Sequence, residues 1–346
     1  MREGENVRQG SICTAAIILL IAGCNGSDVS TGGQSKTILG YYTGESISTA
    51  SVKSSDNPVT AVSMDQYDVD ANGNLHGGLT QSVKRYDDQK GRDTYICVSN
   101  FGATDFDPVI GHGALVTNRE TTVANLVALV GAKHPAGINI DFEGIYPTDR
   151  DAYTAFVIEL SHALHAAGAS LMLSVPAKAS DDPSDDWSWP YNYKVIGQYA
   201  DVIQVMTYDE HVPGDVPGPV AGSDWMKSTL TYAASQIAPD KILLGLPAYG
   251  YDWDTTDDSG VQVDFKGTAA LLQATDAVAQ YDDATQSAFF DYTAMDGHTH
   301  EVWYDTAKSI QLKAAYAKSM GLGGVSMWAL GFENGDFWKA VEAGID

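Results

Sequence analysis

Residues 137–144 read Gly137-Ile138-Asn139-Ile140-Asp141-Phe142-Glu143-Gly144. In an extended chain successive side chains point to opposite faces, so Asn139, Asp141 and Glu143 share one face while Ile138, Ile140 and Phe142 share the other. Strand rise sets Asp141 and Glu143 roughly 7 Å apart along the backbone, close enough for their tips to interact. Working outward, short β-rich runs recur at Ile38 to Thr43, Ala61 to Tyr67, Thr94 to Phe101, Gly137 to Ile145, Ser170 to Lys178, Asp201 to Asp209, Lys241 to Tyr251 and Gly323 to Leu330. Stretches of helical period lie between most of them. The clearest runs from Asp149 to Ala167, with Tyr153, Phe156, Val157, Leu160 and Leu164 on one face. Another runs from Asp305 to Met320, with Ile310, Leu312 and Tyr316 apolar, and Ser223 is placed to cap a third that continues to Ile237. Eight strands alternating with helices over about 300 residues predict a parallel (β/α)8 barrel. A doubly wound open sheet gives the same alternation, and spacing alone does not separate the two. In either, a parallel strand is covered on both sides, so two carboxylates and an amide on one of its faces are used or paired.

The seventh and eighth runs lie farther apart than the others. Residues 252–304 hold Val261-Gln262-Val263, a helix near Ala269 to Ala279, and a hairpin from Phe289-Phe290-Asp291-Tyr292 to His300-Glu301-Val302-Trp303. This predicts a small α+β insertion on the barrel rim that walls one side of a cleft.

The chain has 346 residues, 44% of them hydrophobic, so it buries a large core and is no disordered segment. Lys and Arg number 20 against 45 Asp and Glu, a net charge of -25. Phosphate backbones need basic surface, which excludes nucleic acid as a natural partner and favours a neutral or cationic ligand. The three cysteines, Cys13, Cys24 and Cys97, are too few for a disulfide framework. Ser11 to Gly23 is almost wholly apolar or small, too short to span a bilayer and suited to the core of a secretion signal. It ends in Ile21-Ala22-Gly23-Cys24, which resembles the bacterial lipoprotein processing box. That likeness implies a leader over 1–23, lipidation of Cys24, a flexible tether over 24–36, and a membrane-anchored, exported catalytic domain over 37–346, most simply a monomer. Arg2 and Arg8 are offset by Glu3 and Glu5, so the leading region is not clearly basic.

The segment around Asp141 resembles the catalytic strand of the family 18 glycoside hydrolases, the chitinase family, whose pattern is Asp-Gly-x-Asp-x-Asp-x-Glu. Gln204-Val205-Met206-Thr207-Tyr208-Asp209 is similar to the family's sixth strand, Gly245-Leu246-Pro247-Ala248-Tyr249-Gly250 to its seventh, and Gly324-Val325-Ser326-Met327-Trp328-Ala329 to its eighth. Asn139-Ile140-Asp141-Phe142-Glu143, Thr207-Tyr208-Asp209-Glu210-His211 and Pro217-Gly218-Pro219-Val220-Ala221 most resemble the bacterial spore-cortex and cell-wall glucosaminidase branch. Two positions depart from the pattern: Ala136 stands for its first Asp and Asn139 for its second.

The resemblance implies an exported glycosidase acting on β-1,4-linked N-acetylglucosamine, in chitin or in peptidoglycan, with no cofactor. Family 18 enzymes let the substrate supply its own nucleophile. On that scheme Glu143 is the general acid, Asp141 holds the acetamido N–H and offsets the positive charge of the oxazolinium ion, and Tyr208 orients the acetamido oxygen. Asn139, Tyr41, Gln204, Met206, Asp209 and Trp328 line the sugar site, Trp328 as its apolar floor. In the family's usual pattern a second acidic residue can share a proton with this Asp; Asn139 cannot ionise, which is expected to keep Asp141 as a lone charged partner of Glu143. A sugar-binding lectin without turnover is the alternative from another class, but such proteins usually lose the acid that Glu143 retains. An endoglycosidase on N-linked glycans is a third. Trp253 and Trp303 could extend the sugar platform or simply pack. His298 and His300 stand two apart but lack an evident third ligand, so no metal site is expected there. His211 follows Asp209-Glu210 toward the cleft. The acidic pairs Asp181-Asp182, Asp185-Asp186, Asp257-Asp258 and Asp282-Asp283 read as solvated loops. No phosphate loop, dinucleotide fingerprint or zinc spacing appears.

Overall fold

The computed structural model describes residues 36–346. The leader, Cys24 and all but the last residue of the tether lie outside the described residues. The described residues form fourteen strands: β1 (Thr37–Tyr42), β2 (Ala61–Val69), β3 (Leu75–Gly77), β4 (Asp93–Ser99), β5 (Gly137–Asp141), β6 (Ser170–Pro176), β7 (Val202–Met206), β8 (Ile242–Pro247), β9 (Tyr249–Asp254), β10 (Ser259–Asp264), β11 (Gln280–Asp282), β12 (Ser287–Thr293), β13 (Thr299–Tyr304) and β14 (Gly324–Trp328). Eight of them pair in parallel in the order β1-β14-β8-β7-β6-β5-β4-β2, and β2 pairs back onto β1. That closing pair decides between the two topologies: the sheet is a barrel. β3 is a short antiparallel addition to β2.

Alternation sorts the side chains into two cores. Ile38, Tyr42, Val62, Ile96, Ile138, Ile140 and Val205 face outward into the layer between sheet and helices. Leu39, Tyr41, Ala61, Tyr95, Cys97, Met172 and Leu243 fill the lower barrel interior. The helix Arg150–Ala166 buries Tyr153, Phe156, Val157, Leu160 and Leu164 against the sheet, the face its 3.6-residue period predicts. Phe142, just past β5, stacks on its Phe156 with centroids 5.9 Å apart.

Several expectations shift for local reasons. The run Lys241–Tyr251 is two strands, because Pro247 has no N–H for the ladder and the chain turns there, with the Ala248 N–H donating to the Trp328 carbonyl. The insertion is therefore rooted at Tyr249 rather than at residue 252, and it forms a five-stranded antiparallel sheet in the order β10-β9-β13-β12-β11. The helix Phe265–Thr275 covers it, with Leu271 and Leu272 on Phe290, Val302 and Tyr304. Gly222, not Ser223, is the N-cap of the helix Ser223–Gln236, and the Ser223 hydroxyl is buried without a partner among the described residues. In the helix Ala307–Ser319 the inward face carries Ile310, Ala314, Ala317 and Lys313, while Leu312 is exposed. Lys313 can be buried because Asp305 meets its Nζ with both carboxylate oxygens at 2.6 and 2.7 Å. Asp181 is likewise no free loop acid, since it bridges Arg150 and Lys178.

Candidate active site

The C-terminal ends of the barrel strands open onto a cavity of about 590 Å³, the end where the loops of such barrels build their sites. Its lining includes Tyr41, Asp65, Asp68, Ser99, Asp141, Glu143, Ser174, Gln204, Met206, Tyr208, Asp209, Tyr249 and Trp328. Among the described residues, neither lysine nor arginine lines it.

Directly beneath lies a polar floor. The Asn139 side chain is fully buried. Its Nδ2 lies 3.0 Å from Ser63 Oγ, 3.2 Å from Tyr41 OH, 3.2 Å from Ser174 Oγ and 3.4 Å from Cys97 Sγ, and the Ser174 hydroxyl also lies 3.2 Å from Asn139 Oδ1. Tyr41 OH stands 2.7 Å from Ser174 Oγ and donates to Gln204 Oε1 at 3.3 Å. Gln204 Nε2 in turn donates to Tyr208 OH at 3.2 Å, leaving the phenol proton free to point into the cavity. Gly245 makes room for this arrangement: a Cβ there would stand 2.8 Å from Cε1 of Tyr208 and 2.9 Å from the Gln204 amide nitrogen.

The acids stand above that floor. Asp141 ends β5 and is only 5% exposed, and its Oδ1 meets no donor among the described residues. Burial, with the charge of Asp65 added, pushes its carboxyl up to about 7. Glu143 lies past the strand end, where Asn100 clamps its backbone: Glu143 N–H donates to Asn100 Oδ1 and Asn100 Nδ2 donates to the Glu143 carbonyl, both at 2.8 Å. Tyr191 OH holds the preceding Phe142 carbonyl at 2.6 Å. Burial first, and then the charges of Asp141, Asp209 and Asp105, hold the Glu143 carboxyl well above the usual range. Such a group keeps its proton near neutrality, as a general acid must. Burial keeps the Tyr208 phenol protonated as well. Asp209 sits at φ 62° beyond β7 and accepts hydrogen bonds from Tyr249 OH at 2.7 Å and Tyr251 OH at 2.9 Å.

Comparison with known proteins settles the family. The profile of glycosyl hydrolases family 18 matches residues 37–333. The chain belongs to glycoside hydrolase family 18. It is 37% identical over 311 residues to the uncharacterized glycosylase YvbX of Bacillus subtilis (strain 168), spanning 88% of this chain and 90% of that one. It superposes on the crystal structure of a chitinase from Chromobacterium violaceum ATCC 12472 with a TM-score of 0.86 and 37% identity, covering 90% of this chain and 99% of that one. A cortical fragment-lytic enzyme of Bacillus anthracis is 30% identical over 252 residues, which are 72% of this chain and 58% of that protein. Membership makes the chain a glycoside hydrolase.

Within this family 18 barrel, the sequence-predicted residues Tyr41, Asp141, Glu143, Gln204, Met206, Tyr208, Asp209 and Trp328 converge on one cavity. Trp328 packs beside Tyr41 with ring centroids 5.5 Å apart. Asn139 does not reach the cavity: its amide is fully engaged by the floor, so it supports the site from below rather than lining it. Trp253 is buried in the insertion and Trp303 stacks on Phe289 at 4.6 Å, so neither lines the cavity. The His211 ring packs against Gly218. His298 finds partners that sequence spacing hid, because β9 runs beside β13: its Nδ1 lies 2.7 Å from Asp254, with Asp257 at 3.7 Å. The ligand atoms of these three lie within 4.8 Å of one another, and the Asp254 ion pair already occupies the histidine nitrogen.

Sequence reasoning missed four kinds of group here. Asp65 gives no signal beyond its place in the β-rich run Ala61 to Tyr67. Asn100 gives no signal until its strand is laid beside β5. Phe101 and Phe106 form an edge-to-face pair at 5.4 Å on one side of the cavity mouth. Trp187, 51% exposed, stands across Gly144 from Phe106. Its signal is a tryptophan directly after the acidic stretch Asp181–Asp186, where solvation alone would not select an indole.

Proposed function

We propose that the chain hydrolyses β-1,4-linked N-acetylglucosamine polymers by the substrate-assisted, retaining route. The observation that carries this reading is the convergence of Glu143, Asp141 and Tyr208 on one cavity, where burial favours the protonated forms of Glu143 and Tyr208. Glu143 protonates the glycosidic oxygen as the acetamido carbonyl oxygen attacks the anomeric carbon and the leaving sugar departs. Asp141 Oδ1, which has no donor of its own, accepts the acetamido N–H and faces the positive charge of the oxazolinium ion. Tyr208 OH, fed by Gln204, donates to the acetamido oxygen and holds it in line. Glu143, now a carboxylate, takes a proton from water as it opens the ring, and configuration is retained. Trp328 lies under the reacting sugar, and Phe101, Phe106 and Trp187 offer aromatic faces to the sugars beyond it. Among the described residues, six acidic side chains and no basic one line the cavity. That suits an uncharged N-acetylglucosamine chain better than one carrying carboxylates.

The test is release of chromophore from N-acetylglucosamine oligosaccharides of one to three sugars, alongside reducing ends freed from chitin and from purified peptidoglycan. In Glu143→Gln turnover is expected to fall by about 10²–10⁴-fold with sugar binding retained. Binding without turnover in the wild type would instead make the chain a lectin. Export and anchoring belong to the same proposal, supported by the apolar run that ends at Cys24. Fatty-acid labelling that persists in Cys24→Ser would refute the anchor.

A further inference from the structure

Asp141 has a carboxyl neighbour that its own strand does not supply. Asp65 lies opposite Cys97 in the β2–β4 pair, and Cys97 opposite Asn139 in the β4–β5 pair, so the three form one rung of the barrel interior. Asp141 stands one inward position above Asn139 on β5. The register of β2 slips between Asp65 and Tyr67, a bulge that lets consecutive residues, Asp65 through Asp68, line the cavity. Asp65 therefore faces the same space as Asp141, across the rung where the amide of Asn139 replaces an acid. Asp141 in turn is nine-tenths buried with an oxygen that meets no donor.

We propose that Asp65 and Asp141 work as one carboxyl pair sharing a single proton, with Asp65 supplying from the neighbouring strand the acid that Asn139 withholds. The inference rests on the hydrolase reading above and names a positioning residue for it. Two carboxylates that face one cavity, with no lysine or arginine among its described lining, do not both ionise readily. In the empty site burial favours the proton on Asp141, the deeper of the two. Once a sugar is bound, its acetamido N–H and the developing positive charge favour the anion on Asp141, and the proton resides on Asp65. The pair carries one proton and one negative charge before and after, so nothing need enter or leave the site. Both carboxyls are pushed up, Asp65 to about 6, by burial first and then by Asp68. The other ionisable groups facing Asp141 are Tyr41 from β1, Cys97 from β4, Glu143 past β5 and Tyr208 past β7, with Tyr153 and Tyr191 behind the strand. None is a base that could neutralise it.

The experiment compares pH profiles of kcat/KM in the full chain. Activity needs Asp141 ionised, so its acidic limb reports the pair. In Asp65→Asn that limb is expected to move about one pH unit toward acid, because Asp141 then ionises without a neighbouring charge. Asp65→Glu should hold the wild-type limb, and Asn139→Asp in the Asp65→Asn background should return it toward the wild-type position. Titration of ¹³C-carboxyl-labelled aspartate in the ligand-free protein, with Asp141 assigned by difference from Asp141→Asn, gives the same comparison without turnover. An Asp141 titration that is unmoved in Asp65→Asn overturns the pair. A wild type with no turnover, but with a titration that does move, refutes the hydrolase reading and leaves the pair standing. If Asp65→Asn does not fold, the contrast passes to Asn139→Asp in the otherwise wild-type chain, where a third carboxyl is expected to move the limb toward alkali. An unmoved limb there counts against the pair.

Discussion

Asp141→Asn should make the protein more stable as it becomes inactive, and the gain should grow with pH. The wild-type carboxyl is 5% exposed, has no donor on Oδ1 and is lifted from 3.8 to about 7. A folded-state proton affinity above the unfolded one gives stability that is complete below pH 3.8 and is lost as pH rises through about 7. At pH 8 the loss amounts to about 4 kcal/mol, and at pH 4 to well under 1 kcal/mol. The asparagine amide carries no such dependence. Any fixed cost of seating its extra N–H groups is the same at every pH and cancels in the comparison. At about 2 °C per kcal/mol for a domain of this size, the Tm advantage of Asp141→Asn should widen by roughly 6 °C between pH 4 and pH 8. Scanning calorimetry of both proteins across that range reads it directly. A constant offset, or one that widens toward acid, would mean that Asp141 is not held in its raised state by burial, and the assignment of the acid cluster would go with it.

Two further outcomes follow from contacts at the site. Asn100→Ala removes both hydrogen bonds that fix the Glu143 backbone; kcat should fall by about tenfold or more while KM for a short substrate changes little, since misplacing the acid affects the chemical step more than binding. Equal losses in kcat and in binding would show Asn100 to be merely structural. Trp187→Ala should raise KM for a trisaccharide by about tenfold, the equivalent of 1–2 kcal/mol of lost apolar contact, and leave a single-sugar chromogenic substrate nearly unaffected. A uniform change across chain lengths would remove Trp187 from the sugar path.

The barrel was legible because its pattern is redundant. Ile138, Ile140 and Phe142 face the helices, and Asn139, Asp141 and Glu143 face the axis or its mouth, as period-two alternation requires. What escaped was whatever depends on neighbouring strands. Asp65 sits on a strand whose polar residues look like an ordinary exposed face, and only pairing with β4, together with the bulge, turns it toward Asp141. Asn100 and Glu143 are 43 residues apart and meet only because β4 and β5 are adjacent. Lys313 carries no sequence signal of burial, because a lone lysine normally faces solvent; its burial follows from Asp305, eight residues earlier, which helical periodicity does not register. Pro247 is a local signal of its own, since a residue without an N–H at the end of a central strand marks the point where the chain leaves the sheet.

Asp305 and Asp141 show how a buried acid discloses its purpose. Both are almost inaccessible, and burial raises the proton affinity of each. Asp305 meets Lys313 through both oxygens, so its charge is compensated where it lies and the pair joins the insertion to the helix that follows it. Removing either partner would leave an uncompensated charge, which marks the pair as structural. Asp141 is surrounded by hydroxyls, a thiol and two more carboxyls, and among the described residues no cation lines its cavity. A fold has no structural reason to keep an acid in such surroundings, because an asparagine there would be the more stable choice. The missing counter-charge therefore has to come from outside the chain and only at a particular moment, which is the requirement for stabilising a transient oxazolinium cation. The same reasoning explains why the lining excludes lysine and arginine: a resident cation would pair with Asp141 permanently and remove the difference between ground state and transition state on which catalysis depends.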